Sequence, residues 1–138
     1  MSGQAENYLG IDWGSRDVGV ALAHAETGIA IPFMTERNDA GLTERLAILI
    51  REENIGSVII GIPSHINRER VEYPGEKLGR QLSVKANVKI FYQDEMFTTK
   101  LAHQALLGRG ERAVGKHDDA EAARIILQQW IERQHLQN

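Results

Sequence analysis

The stretch Tyr8 to Ala23, YLGIDWGSRDVGVALA, constrains the fold of this chain more than any other. It alternates. Leu9, Ile11 and Trp13 fall on one face of a strand and leave Asp12 on the other, ahead of a Gly14-Ser15-Arg16-Asp17 turn. A second alternating run then sets Val18, Val20 and Leu22 against Gly19, Ala21 and Ala23, which completes a hairpin. Asp12 thus reads as a carboxylate at mid-strand. A charge in a half-buried strand is costly unless it is paired, hydrogen-bonded or bound to a metal. Asp12 is therefore the first residue whose presence needs a chemical reason, with a strand-end turn position as its bland alternative.

After this hairpin, Glu26-Thr27-Gly28 marks a turn and Ile29 to Met34 reads as a third strand, with Pro32 pointing to a sheet edge. From Leu42 the period changes to that of a helix. Leu42, Leu46, Leu49 and Ile50 share one face through Glu53, and Gly56 is expected to end the connection. Ser57 to Ile62 is an unbroken apolar run, the pattern of a strand covered on both faces, and Pro63 stops it. A polar loop, SHINRERVEY, leads to Pro74 at the start of a helix reaching about Ala86, with Leu78 and Leu82 inward.

Val88 to Tyr92 is the fifth strand, with Asp94 and Glu95 at its C-terminal end. A further helix is expected from a Thr98 or Thr99 cap to near Gly108, followed by the basic loop RGERAVGKH. The last helix opens at Asp118, whose spacing to Glu121 is that of a capping box. Its inward stripe is Ala123, Ile126, Leu127 and Trp130. Three sequential strands followed by alternating helix and strand imply an α/β architecture with a mixed five-stranded sheet, three antiparallel strands and then two parallel ones, flanked by helices. The 138 residues form one domain, 1–138, able to bury about two thirds of its unfolded surface, with 1–7 and 134–138 expected to fray.

Composition removes several function classes. With no Cys there is neither a disulfide nor a thiolate metal site, so a metal must be held by Asp, Glu or His. No apolar run approaches the roughly 18 residues of a membrane span, and MSGQAENY lacks the apolar core of a signal peptide, so the expectation is a cytoplasmic protein with no membrane partner. Residues 1–60 carry 4 Lys/Arg against 9 Asp/Glu, a balance of −5, and residues 61–138 carry 12 against 10, a balance of +2. That excludes a globally basic nucleic-acid binder and leaves room for a basic rim around an acidic site.

Asp12 on the first strand, Glu95 past the end of a strand parallel to it, and Asp119 in the first turn of the last helix would meet at one end of the sheet if that helix packs beside the first strand. Taken singly, Asp94 or Glu95 reads as a loop residue and Asp118 or Asp119 as an N-cap. Taken together, crowded carboxylates call for cations, and oxygen-only ligands select Mg²⁺ or Mn²⁺. A two-metal site of that kind hydrolyses phosphodiesters. No P-loop or G-x-S-x-G elbow competes with it. The histidines at 24, 65, 103, 117 and 135 lack tight ligand spacing, and His117 stands closest to the final acids.

Read together, these motifs resemble the YqgF/RuvX family. Tyr8-Leu9-Gly10-Ile11-Asp12-Trp13-Gly14 with Val18-Gly19-Val20-Ala21 is similar to its opening hairpin, and Val58 to Pro63 to its strand ending in Gly-Leu-Pro. Asp94-Glu95-Met96-Phe97-Thr98-Thr99 resembles its Asp-Glu-Arg-Leu-Thr-Thr signature, and Asp119 with Ala122-Ala123 and Ile126-Leu127 its final acid and helix. The resemblance implies an RNase H-like fold and a Mg²⁺- or Mn²⁺-dependent nuclease that matures the 5′ end of precursor 16S ribosomal RNA. A Holliday-junction resolvase-like action on branched DNA is its alternative.

The resemblance also makes Asp12, Glu95 and Asp119 the catalytic, metal-holding acids and leaves Asp118 for the cap. Two departures stand out: Met96 replaces the family's Arg, and the loop after Pro63 lacks the usual Asp-Gly turn. Met96 motivates a further reading, an RNA-binding module without activity. Arg68, Arg70, Arg109, Arg112 and Lys116 are candidates for contact with a nucleic-acid backbone, against a plain role as solvated loop charge. An ATPase of the actin and sugar-kinase type shares the Asp-x-Gly hairpin but needs a second domain that 138 residues do not provide.

Overall fold

The computed structural model describes residues 5–63, 72–94 and 119–137. Strands β1 (Asn7–Asp12), β2 (Asp17–Ala23) and β3 (Ala30–Arg37) are followed by helix α1 (Leu42–Glu52) and β4 (Ile55–Ile62). Helix α2 (Pro74–Ala86), β5 (Lys89–Asp94) and helix α3 (Asp119–Gln137) complete the described chain. The sheet order is β3-β2-β1-β4-β5. β1–β2 and β2–β3 are antiparallel, whereas β1–β4 and β4–β5 are parallel, so the mixed five-stranded sheet read from the sequence is the one observed.

Alternation along each strand sorts the side chains onto two faces. Leu9, Ile11, Val18, Val20, Leu22, Val58 and Ile60 pack with Leu42, Leu46, Leu78 and Leu82, so α1 and α2 cover one face. Ala21, Ala23 and Ile59 pack with Ala123, Ile126, Leu127 and Ile131, so α3 covers the other. This is why β4 reads as an unbroken apolar run: Val58 and Ile60 are buried on one side of it and Ile59 on the other. Trp130, expected among the inward residues of α3, is only partly buried. Its ring stands between Tyr8 and Phe91, at centroid distances of 5.7 and 5.0 Å.

Several boundaries differ from the sequence reading for identifiable reasons. Gly56 does not end the α1–β4 connection; it lies inside β4. The left-handed residue at that turn is Asn54, at φ 53°, a conformation that Asn tolerates better than most side chains. Asn87 plays the same part at the end of α2, with φ 53° and ψ 50°. At its start, Pro74 occupies the first turn and the Tyr73 amide donates to Glu76 Oε1 at 2.9 Å. β3 forms one sheet edge, as Pro32 suggested, and runs on to Arg37. Its register skips Phe33 between the Ala21–Pro32 and Val20–Met34 pairs, a bulge of the kind that edges favour. Of the ends expected to fray, residues 1–4 and 138 lie outside the described residues; Asn7 opens β1, with its side chain donating to Glu53 O at 2.9 Å, and α3 is helical to Gln137.

Candidate active site at the C-terminal edge of the sheet

Because β1, β4 and β5 run parallel, their C-terminal ends share one edge of the sheet. Asp12 is the last residue of β1 rather than a mid-strand residue. It is half-buried there, and the strand end relieves part of the desolvation cost that a central position would carry. By alternation Asp12 shares the α3 face with Tyr8 and Gly10, opposite Leu9 and Ile11.

Small residues let α3 lie unusually close to this face. A Cβ on Gly10 would stand 2.7 Å from Leu127 Cβ and 2.9 Å from the Ala123 carbonyl oxygen. The tightest approach is at Gly19, where the Asp119 carbonyl group occupies the space a Cβ would need. Gly19 is also the cross-strand partner of Asp12. The first residue of α3 is thereby seated against the backbone that faces Asp12 across the hairpin, and the two acids are brought to the same corner. Glu121, the other acid of that first turn, is held by Arg124 at 2.6 and 2.9 Å, and this pairing raises the guanidinium pKa above its ordinary value.

β5 runs two residues beyond Tyr92, so that Asp94 ends it in register with Ile62 at the same edge. Glu95 lies outside the described residues. So do Arg68, Arg70, Arg109, Arg112 and Lys116, the Asp118 cap, Met96 and the helix expected from Thr98. Among the described residues no group of three His, Asp or Glu side chains is arranged to hold a metal ion. The described part of the candidate site holds Asp12 and Asp119, whose hard carboxylate oxygens suit Mg²⁺ or Mn²⁺, and with no Cys in the chain no thiolate donor is available.

One residue at this edge was missed by sequence reasoning. Gln93, in register with Gly61 of β4, is 2% exposed. Its Nε2 lies 3.4 Å from Gln129 Oε1 on α3, and its own Oε1 has no hydrogen-bond partner among the described residues. The available signal was a polar residue directly before Asp-Glu, at a place where a strand judged to stop at Tyr92 was not expected to be buried. Replacing Gln93 with Leu removes the unsatisfied acceptor at similar volume. Its urea unfolding free energy is expected to be unchanged or higher by about 1 kcal/mol; a fall of about 2 kcal/mol or more would mean that the amide is satisfied after all.

The model of the RuvX family, described as Holliday junction resolvase, matches residues 6–133 of this chain. Its relatives include proteins named "Putative pre-16S rRNA nuclease". The protein from Cupriavidus necator is 36% identical over 131 residues, covering 91% of this chain and 87% of its own length. One from Pseudomonas aeruginosa is 32% identical over 129 residues, covering 89% and 90%. The one from Streptococcus uberis is 31% identical over 136 residues, covering 91% and 96%.

Among solved structures, Thermus thermophilus RuvC in complex with a Holliday junction substrate superposes with a TM-score of 0.61 at 14% identity, covering 95% of this chain and 96% of that one. The Fowlpox virus resolvase in complex with Holliday junction DNA gives 0.60 at 12% identity, covering 93% and 98%. These likenesses establish the RNase H-like fold.

Proposed function

This chain belongs to the RuvX family, and from that premise we propose that the corner formed by Asp12 and Asp119 is the catalytic centre of a divalent-metal-dependent nuclease that processes the 5′ end of precursor 16S ribosomal RNA. The observation that carries the reading is the seating of the α3 first turn on Gly19, the partner of Asp12, because it joins two acids from distant parts of the chain at the sheet edge where open α/β sheets take ligands. Carboxylates gathered at one corner favour the binding of cations there. Glu95, next after Asp94 in the sequence, is the proposed third acid. Bound Mg²⁺ or Mn²⁺ would supply an activated water and stabilise the leaving oxygen of the phosphodiester. The acids would hold these ions, and Arg68, Arg70, Arg109, Arg112 and Lys116 are the proposed contacts to the nucleic-acid backbone.

The ribosomal substrate follows the names of the relatives. A second reading, cleavage of branched DNA, follows the description of the family itself. The test is cleavage of an end-labelled ribosomal-RNA leader in Mn²⁺, with a four-way DNA junction as competitor. Specific cleavage that a chelator reduces to background, and with which the junction competes poorly, is the expected result. Efficient junction cleavage with an intact leader would transfer the activity to DNA. Retained RNA binding with no metal-dependent cleavage of either substrate would leave a binding module.

A further inference from the structure

The same sheet edge carries a cleft on the face opposite α3. This open cleft of about 490 Å³ lies between the starts of α1 and α2, and its lining includes Trp13, Asn38, Thr43, Lys77 and Gln81. Trp13 directly follows Asp12, and it packs partly against the α1/α2 cluster while Asp12 belongs to the α3 face. Consecutive residues of one strand end thus serve the two sides of the edge.

The charges around the cleft leave a cation available. Two carboxylates line it, Asp39 and Glu72, and each is taken up by an arginine: Asp39 by Arg45 at 3.0 Å and Glu72 by Arg80 at 3.0 Å. The Arg45 guanidinium holds the Asp39 carboxyl below its ordinary range, and Arg80 does the same for Glu72. Lys77, exposed on the first turns of α2, forms no ion pair with the described residues. The rim is fixed rather than loose, since Asn38 Nδ2 donates to Gly14 O at 2.7 Å and ties the turn after Trp13 to the end of β3.

An indole with one side open to a cleft, an ammonium that forms no ion pair with the described residues, and the polar side chains of Asn38, Thr43 and Gln81 together match a nucleotide, whose base stacks and whose phosphate needs a cation. A fully paired duplex keeps its bases stacked on one another and has none to offer. We infer that this cleft receives an unpaired nucleotide adjoining the scissile bond, its base on Trp13 and its phosphate at Lys77, as the nucleic-acid strand passes over the sheet edge from the Asp12 side. The inference rests on the nuclease reading and narrows its substrate to one with a single-stranded segment beside the cut.

The test measures binding in an Asp12→Asn background, which blocks turnover. Fluorescence anisotropy is read with a labelled ten-nucleotide RNA, the DNA of the same sequence, and a blunt duplex of that DNA. Trp13→Leu keeps apolar bulk against the cluster and removes the ring; Lys77→Gln, at an exposed position, removes only the charge. Each is expected to weaken single-strand binding, Trp13→Leu by on the order of tenfold, with duplex binding changed less than twofold. Comparable losses on RNA and DNA identify the unpaired nucleotide as the shared ligand, and a loss on RNA alone adds a ribose contact. Equal affinities in the parent and both variants, with cleavage by the unmodified protein intact, overturn the cleft alone. A parent that binds none of the three oligonucleotides overturns the cleft and the nuclease reading together.

Discussion

Replacing Asp12 by Asn is expected to slow phosphodiester cleavage by about three orders of magnitude or more and to leave the fold intact. The substitution is nearly isosteric, so the β1–β2 pairing and the packing of α3 over Gly10 and Gly19 have no reason to change. What is lost is a full negative charge at the place where, on the proposed mechanism, cations are gathered to offset charge in the transition state. Such stabilisation amounts to several kcal/mol, and about 4 kcal/mol corresponds to a thousandfold in rate. Single-turnover cleavage at saturating Mn²⁺ measures the chemical step without interference from product release. An Asp12→Asn protein that cleaves within tenfold of the unmodified rate would remove Asp12 from the catalytic centre. A parallel thermal melt, expected to match that of the unmodified protein, separates that outcome from misfolding.

The second large effect comes from a single added carbon. Gly19→Ala places a methyl group where the Asp119 carbonyl lies, and the obstructing atoms are main chain at the start of a helix, which cannot swing aside as a flexible side chain would. α3 must lift or slide, and its start carries Asp119 with it. Overpacking of this kind costs about 1–3 kcal/mol, which at ordinary urea sensitivity lowers the unfolding midpoint by roughly 1 M. Activity is expected to fall more than stability implies, because misplacing a catalytic group by about 1 Å can cost a hundredfold. Activity measured well below the unfolding transition therefore distinguishes displacement of Asp119 from simple loss of folded protein. A Gly19→Ala protein with the unmodified midpoint and rate would mean that the first turn of α3 does not rest where it has been described.

Much of this arrangement was legible in the sequence because strand alternation and helix periodicity report burial directly. Leu9 and Ile11 against Asp12, the continuous run of β4, and the inward Leu78 and Leu82 of α2 all reflect which atoms leave water. The meeting of Asp12 with Asp119 was legible only conditionally. It depended on α3 packing beside β1, and the feature that permits this, a column of small residues at Gly10, Gly19, Ala21 and Ala23, reads in the sequence merely as the polar-facing half of a hairpin. Gln93 was not legible, because periodicity predicts burial of apolar residues and is silent when a polar one is buried. The turn at Asn54 was missed for a related reason: Gly56 is the stronger left-handed signal by residue type, yet the strand needed its glycine to pass the Glu6 side chain.

The contact between Gly19 and Asp119 also has a consequence for biosynthesis. The acids it unites stand 107 positions apart, at 12 and 119, and at about 5–20 residues per second the ribosome adds the second of them roughly 5–20 s after the first. Until α3 has emerged and docked, the hairpin bearing Asp12 has no helix over its glycine face and lacks Asp119 beside it. An unfinished polypeptide, or one cut before α3, therefore lacks the paired carboxylates. On the proposed mechanism, an enzyme that cuts the RNA of the machine that makes it gains Asp119 only after its synthesis has reached α3.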